Sequence, residues 1–212
     1  MVCQLLQKIK DEKIDFNTEK STVYNLYYEF CSFLQKKYGM LDANFDSGKC
    51  TKRGKEWLDI HHICEMSADS GMDNIATRTN RAKKENDLAE LERLAPYNKS
   101  DKLIYANKVE HFALHYLIDI YRGCEIYSGG CWLLLPNVFD MEYKKDFKRA
   151  HDIEIQKHKK TFFDDEDFKY LFELAKILKK ARNGDANYDT FIEMQAICVW
   201  VSNMEKYLGL LK

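Results

Sequence analysis

No apolar run in this 212-residue chain approaches the ~20 residues needed to cross a bilayer, which argues against a membrane-spanning helix. The first residues also lack the extended apolar core of a signal peptide. Cysteine occurs seven times but never as C-x-x-C, and even the closest two, Cys124 and Cys131, fit no zinc signature. Scattered cysteines of this kind suit reduced, buried thiols in a cytosolic protein rather than a disulfide framework. An excess of one charge is missing too. Thirty-three basic residues against 34 acidic ones leave a net charge of -1, so there is no global pull toward nucleic acid. Any nucleic-acid contact has to come from positive charge concentrated locally. Internal repeats, low-complexity runs and composition breaks are absent as well. The expectation is a single domain over 1–212, soluble and cytoplasmic, with no membrane partner.

What the chain does have is enough apolar character to fold, with 45% hydrophobic against 32% charged residues. Most of that character repeats at helical spacing. Leu5, Leu6 and Ile9 suggest a short helix within 1–10. Val23, Leu26, Tyr27, Phe30, Cys31, Leu34 and Tyr38 predict a longer one from about Ser21 to Tyr38, ended by Gly39. A polar, glycine-punctuated loop runs from Leu41 to Lys55. Further on, 67–79 reads as loop and Asn80 to Leu94 as a helix with Leu88, Leu91 and Leu94 on one side, stopped by Pro96. Two amphipathic helices are expected within 163–212, at about Asp165 to Arg182 and Asp189 to Leu211. The second is apolar enough to be a core element or a homodimer contact.

Histidine is scarce, with six in the chain, and four of the six fall into two clusters. His61 and His62 end a stretch in which Trp57, Leu58, Ile60 and Ile63 suit a short buried strand. A second strand-like stretch, Lys102 to Ala106, precedes Asn107. Asn107 can cap a helix, with Glu110 bonding back to it as a capping box. The helix so started, about Lys108 to Tyr121, carries His111 and His115 one turn apart. Its core stripe is Val109, Phe112, Ala113, Tyr116, Leu117 and Ile120, and Gly123 stops it. Imidazoles at i and i+4 can grip one cation with help from outside the helix. Adjacent strand residues point to opposite sides. One of His61 and His62 can therefore complete a metal site while the other stays unligated as a base. A single core histidine is more often satisfied by a backbone carbonyl than bound to metal; four in this order are harder to explain so. His151 and His158, in a lysine-rich stretch, read as surface residues.

The stretches Leu58-Asp59-Ile60-His61-His62-Ile63-Cys64-Glu65 and Asp101-Lys102-Leu103-Ile104-Tyr105-Ala106-Asn107-Lys108-Val109-Glu110-His111-Phe112-Ala113-Leu114-His115 resemble the HNH (His-Me finger) endonucleases, in particular their bacterial and phage branch, which includes restriction-related enzymes. The resemblance implies a ββα-metal finger within 56–122, interrupted by an insert at about 67–97. It implies His61, His111 and His115 as metal ligands and His62 as the general base. Lys102 stands where the family has its structural Asn, and Asn98 or Asp101 is a candidate stand-in. Asn107 and Glu110 support the site as the cap. Candidate phosphate contacts are Lys52, Arg53 and Lys55 upstream of the histidines and Arg78 and Arg81 in the insert. A charged helix face accounts for the basic stretch from Met141 to Lys160.

The expected fold is mainly α (α+β), a helical domain with an embedded ββα-metal finger. The expected function is DNA phosphodiester hydrolysis with one divalent ion, Zn, Mn, Ni or Mg. The alternative is a degenerate finger holding a structural zinc in a non-catalytic protein that binds nucleic acid or another protein.

Overall fold

Two short strands and one capped helix form the centre of the fold, with helices packed around them. The computed structural model describes residues 4–41, 43–45, 56, 58–66, 75–123, 131, 134, 170–171 and 173–178. Strand β1 (Asp59–His62) pairs antiparallel with β2 (Leu103–Ala106), placing Asp59 opposite Ala106 and His62 opposite Leu103. Helix α1 is Gln4–Asp11 and α2 is Lys20–Tyr38; the insert between the strands supplies α3 (Ile75–Glu85) and α4 (Leu88–Leu94). Helix α5 (Lys108–Arg122) follows β2 directly. The described residues are mostly helical, with this one two-stranded sheet. None of the described helices is long and apolar enough to cross a membrane.

Helix α5 forms where its cap directs it. Asn107 accepts from the Glu110 amide at 2.9 Å while the Glu110 carboxylate accepts from the Asn107 amide at 2.9 Å, so both sides of the capping box are made. Glu110 is tied further to the end of α2 by Lys37 and by the Tyr38 hydroxyl at 2.8 Å. At the other end Gly123 closes the helix in the left-handed region, φ 69°, where a side chain is strained. Between these ends α5 is buried on nearly every side, from Val109 to Ile120. It packs with α1 and α2 into the main core, where Leu171, Leu174, Ala175 and Leu178 join it. A second, smaller core of Leu41, Phe45, Leu58, Ile60, Leu103 and Tyr105 lies on the far face of the hairpin.

The structure corrects three expectations. The helix predicted over Asn80 to Leu94 is two helices, and the first begins at Ile75, inside the presumed loop. Asn86 adopts φ 53°, a left-handed turn that Asn tolerates better than most residues. Asp87 then caps a new start by accepting from the Glu90 amide at 3.0 Å. The turn leaves Leu88 71% exposed rather than packed beside Leu94. Pro96 sits in a 3-10 turn (Ala95–Tyr97) instead of ending a long helix. Finally, β1 stops at His62 and Ile63 starts a 3-10 turn (Ile63–Met66), because residues 100–102, which would have to pair with a longer β1, are themselves 3-10. Trp57, the basic loop Lys52-Arg53-Lys55, the stretch 141–160 with His151 and His158, and the last helix with its proposed dimer contact lie outside the described residues.

Candidate metal centre

Strand alternation decides what each side chain of β1 meets. Asp59 and His61 share the face turned toward α5, while Ile60 and His62 share the face turned toward the smaller core. His61 lies edge-on to both helix histidines, with ring centroids 5.1 Å from His111 and 4.9 Å from His115. His61, His111 and His115 each offer one ring nitrogen, all within 4.8 Å of one another, so the group could hold a metal ion.

Hydrogen bonds around the triad determine which nitrogens are free. The Tyr27 hydroxyl has one proton and donates it to the Ile63 carbonyl at 3.0 Å. It therefore accepts from His61 Nε2, 2.7 Å away, and the lone pair of His61 falls on Nδ1. That Nδ1 is buried with no partner among the described residues, the state expected of a ligand atom awaiting a cation. Asp59 works similarly on the helix side. Its carboxylate accepts from His111 Nδ1 at 3.0 Å and pairs with Lys108 at 2.7 Å, which leaves His111 Nε2 as donor atom. The Nε2 atoms of His111 and His115 are 3.1 Å apart, a gap that a shared proton fills when no cation does. Burial opposes ionisation of Asp59, yet its bond to His111 and the charges of His111 and Lys108 bring its pKa down to about 2. Burial, reinforced by neighbouring histidines, holds His61 and His115 well below the usual imidazole range, in the neutral form that binds metal. The donor set and its protonation fit a transition-metal ion.

His62 has a different environment. Its Nε2 is 2.9 Å from Asn98 Oδ1, and Asn98 Nδ2 in turn donates to Thr79 Oγ1 at 2.9 Å. An amide oxygen can only accept, so Nε2 carries the proton and Nδ1 the lone pair. Phe45 packs edge-on to the ring at 5.1 Å. Burial lowers the His62 pKa to about 4. Nδ1 faces Glu65 Oε1 at 4.0 Å, and the other carboxylate oxygen lies 3.8 Å from His115 Nε2.

The structure thus brings His61, His111 and His115 together and puts His62 and Asn98 beside them. Asp101 and Lys102 are exposed and face each other at 3.6 Å. Arg78 is engaged with Glu90 at 2.9 Å, whereas Arg81 is exposed. Sequence reasoning missed Asp59, Tyr27, Thr79 and Glu65. Only Asp59 carried a signal, since it lies two residues before His61 and shares its strand face. Comparison of the chain with family models, with curated proteins and with solved structures finds no match in any of the three.

Proposed function

We propose that this chain is a metal-dependent endonuclease that hydrolyses DNA phosphodiester bonds, with β1, β2 and α5 acting as an HNH-type ββα-metal finger. The observation that carries this reading is the divergence of two adjacent histidines. His61 turns into the triad, and His62 is held outside it by Asn98 with its lone pair on Nδ1. A purely structural ion needs no spare, oriented base. The resemblance of the two histidine stretches to HNH endonucleases supplies DNA as the substrate class.

In this reading His61, His111 and His115 hold one divalent ion, and three imidazoles favour a borderline metal such as zinc, nickel or manganese over magnesium. When bound, the ion supplies charge stabilisation to the phosphorane and the leaving 3′-oxygen. His62 Nδ1 takes the proton from the attacking water. Asn98 keeps the Nε2 proton engaged, so His62 cannot swap tautomers and lose its basic nitrogen. Asp59 and Tyr27 do the same for His111 and His61, holding each ring with its ligand nitrogen toward the ion.

A second reading is a structural zinc in a non-catalytic protein that binds nucleic acid or another protein. Its support is the burial of His62, only 1% exposed. Plasmid cleavage by purified protein with manganese, magnesium, zinc or nickel, alongside EDTA, separates the two. Nicking by wild type and none by His62→Ala is the expected result. A wild type that retains its ion yet nicks with none of the four metals would leave the second reading standing.

A further inference from the structure

Glu65 lies three residues past His62, in the 3-10 turn that follows β1, and is only 8% exposed. The turn is anchored on both sides. Tyr27 donates to the Ile63 carbonyl at 3.0 Å, and Arg122, at the end of α5, donates to the carbonyl of Glu65 itself. These bonds hold the Glu65 backbone beside the triad. Oε2 stands 3.8 Å from His115 Nε2 and Oε1 4.0 Å from His62 Nδ1. Both separations are too long for a hydrogen bond. They suit a different object. Two ligand atoms bound to one transition ion at ~2.1 Å each can be no more than about 4.2 Å apart. The 3.8 Å gap between Oε2 and His115 Nε2 is within that reach. The group mutually within 4.8 Å is the three histidines, so Glu65 joins it through a turn of its side chain.

We propose that Glu65 is the fourth protein ligand of the site, making it a three-histidine, one-carboxylate centre; this rests on the metal-binding half of the reading above. The assignment has two consequences. A carboxylate lowers the net charge of the centre by one and adds a hard oxygen donor, so manganese becomes a better fit than three imidazoles alone would make it. It also fills a fourth position. An ion that accepts six ligands keeps two places open for water and phosphate, and a strictly tetrahedral ion keeps none. His62 Nδ1 then lies next to the same carboxylate, so one side chain links the ion to the base.

The test reads the ion directly. Cobalt(II) is titrated into the metal-free full chain and into Glu65→Ala, Glu65→Gln and His115→Ala, following both affinity and the visible ligand-field spectrum. Thermal melts in EDTA check that each variant is folded, and Glu65→Gln keeps the shape of the side chain if Glu65→Ala does not fold. Expected is a loss of cobalt affinity of at least about tenfold in the Glu65 variants, since residues that only support a ligand already cost roughly that much, with band positions and intensities shifted from wild type. An unchanged spectrum, with or without weaker binding, would overturn the assignment. If wild type binds cobalt, His115→Ala loses it and the Glu65 variants match wild type, Glu65 alone is excluded and the histidine site stands. Failure of wild type to bind any cobalt would sink both.

Discussion

At the scale of single residues, neighbouring positions on β1 differ because a strand turns each side chain the opposite way from the last. His61 meets Tyr27, His111 and His115, while His62 meets Phe45 and Asn98. The two substitutions should therefore separate. His61→Ala removes a ligand, so ion content and cleavage should fall together. His62→Ala should keep the ion and slow cleavage by about a hundredfold or more, the scale of a lost general base. Metal analysis and plasmid nicking on the same preparations decide it, and loss of the ion from His62→Ala with retention in His61→Ala would reverse the assignment. The same geometry bears on Lys102, which under the proposed likeness to HNH endonucleases takes the place of their structural Asn. Its side chain is 53% exposed and points to Asp101, and Asn98 is the residue on His62. Asn98→Ala should slow cleavage with ion content unchanged, and Lys102→Asn should change neither. A large gain from Lys102→Asn would mean that position 102 governs the base after all.

At the scale of elements, the site depends on where α5 begins. The Asn107–Glu110 box sets the first turn, and His111 follows one residue later, so fraying there would displace a proposed ligand. Asn107→Ala should cost about 1 kcal/mol of stability and weaken ion binding through His111. Urea denaturation of the metal-free protein measures the first effect. A midpoint equal to wild type would show that Lys37 and Tyr38, bonded to Glu110, hold the turn without its cap. This start was legible in the sequence because a cap is written in four consecutive residues, as were β2 and the apolar stripe of α2. The division of the insert was not. Nothing in its apolar spacing marks Asn86 as the left-handed residue, and a run of good helix formers on both sides reads as continuous. Tyr27 and Glu65 escaped for another reason. Periodicity tells which way a side chain faces, but not what arrives from 34 residues away to meet it, as Tyr27 does at His61.

At the scale of the whole molecule, a near-neutral chain gains nothing from overall charge, so the proposed DNA binding would have to come from local cations, and the proposed ion binding from how the centre joins distant parts of the fold. The triad links β1 to α5 across the whole insert, and α5 is buried in the main core along most of its length. The unfolded chain cannot hold three imidazoles around one cation, so ion binding adds to folding stability by mass action. At an ion concentration a hundredfold above Kd the gain is about 2.7 kcal/mol. For a chain of this size that corresponds to a rise in melting temperature of roughly 5–10 °C. Nickel or zinc should raise the wild-type melting temperature by about that much, EDTA should reverse it, and His111→Ala or His115→Ala should show no rise. Arg81→Ala, on the exposed face of the insert, should melt and respond to the ion as wild type does, since its side chain takes no part in the centre. A wild type whose melting temperature does not move with any of these ions would mean that the three histidines are only packed together.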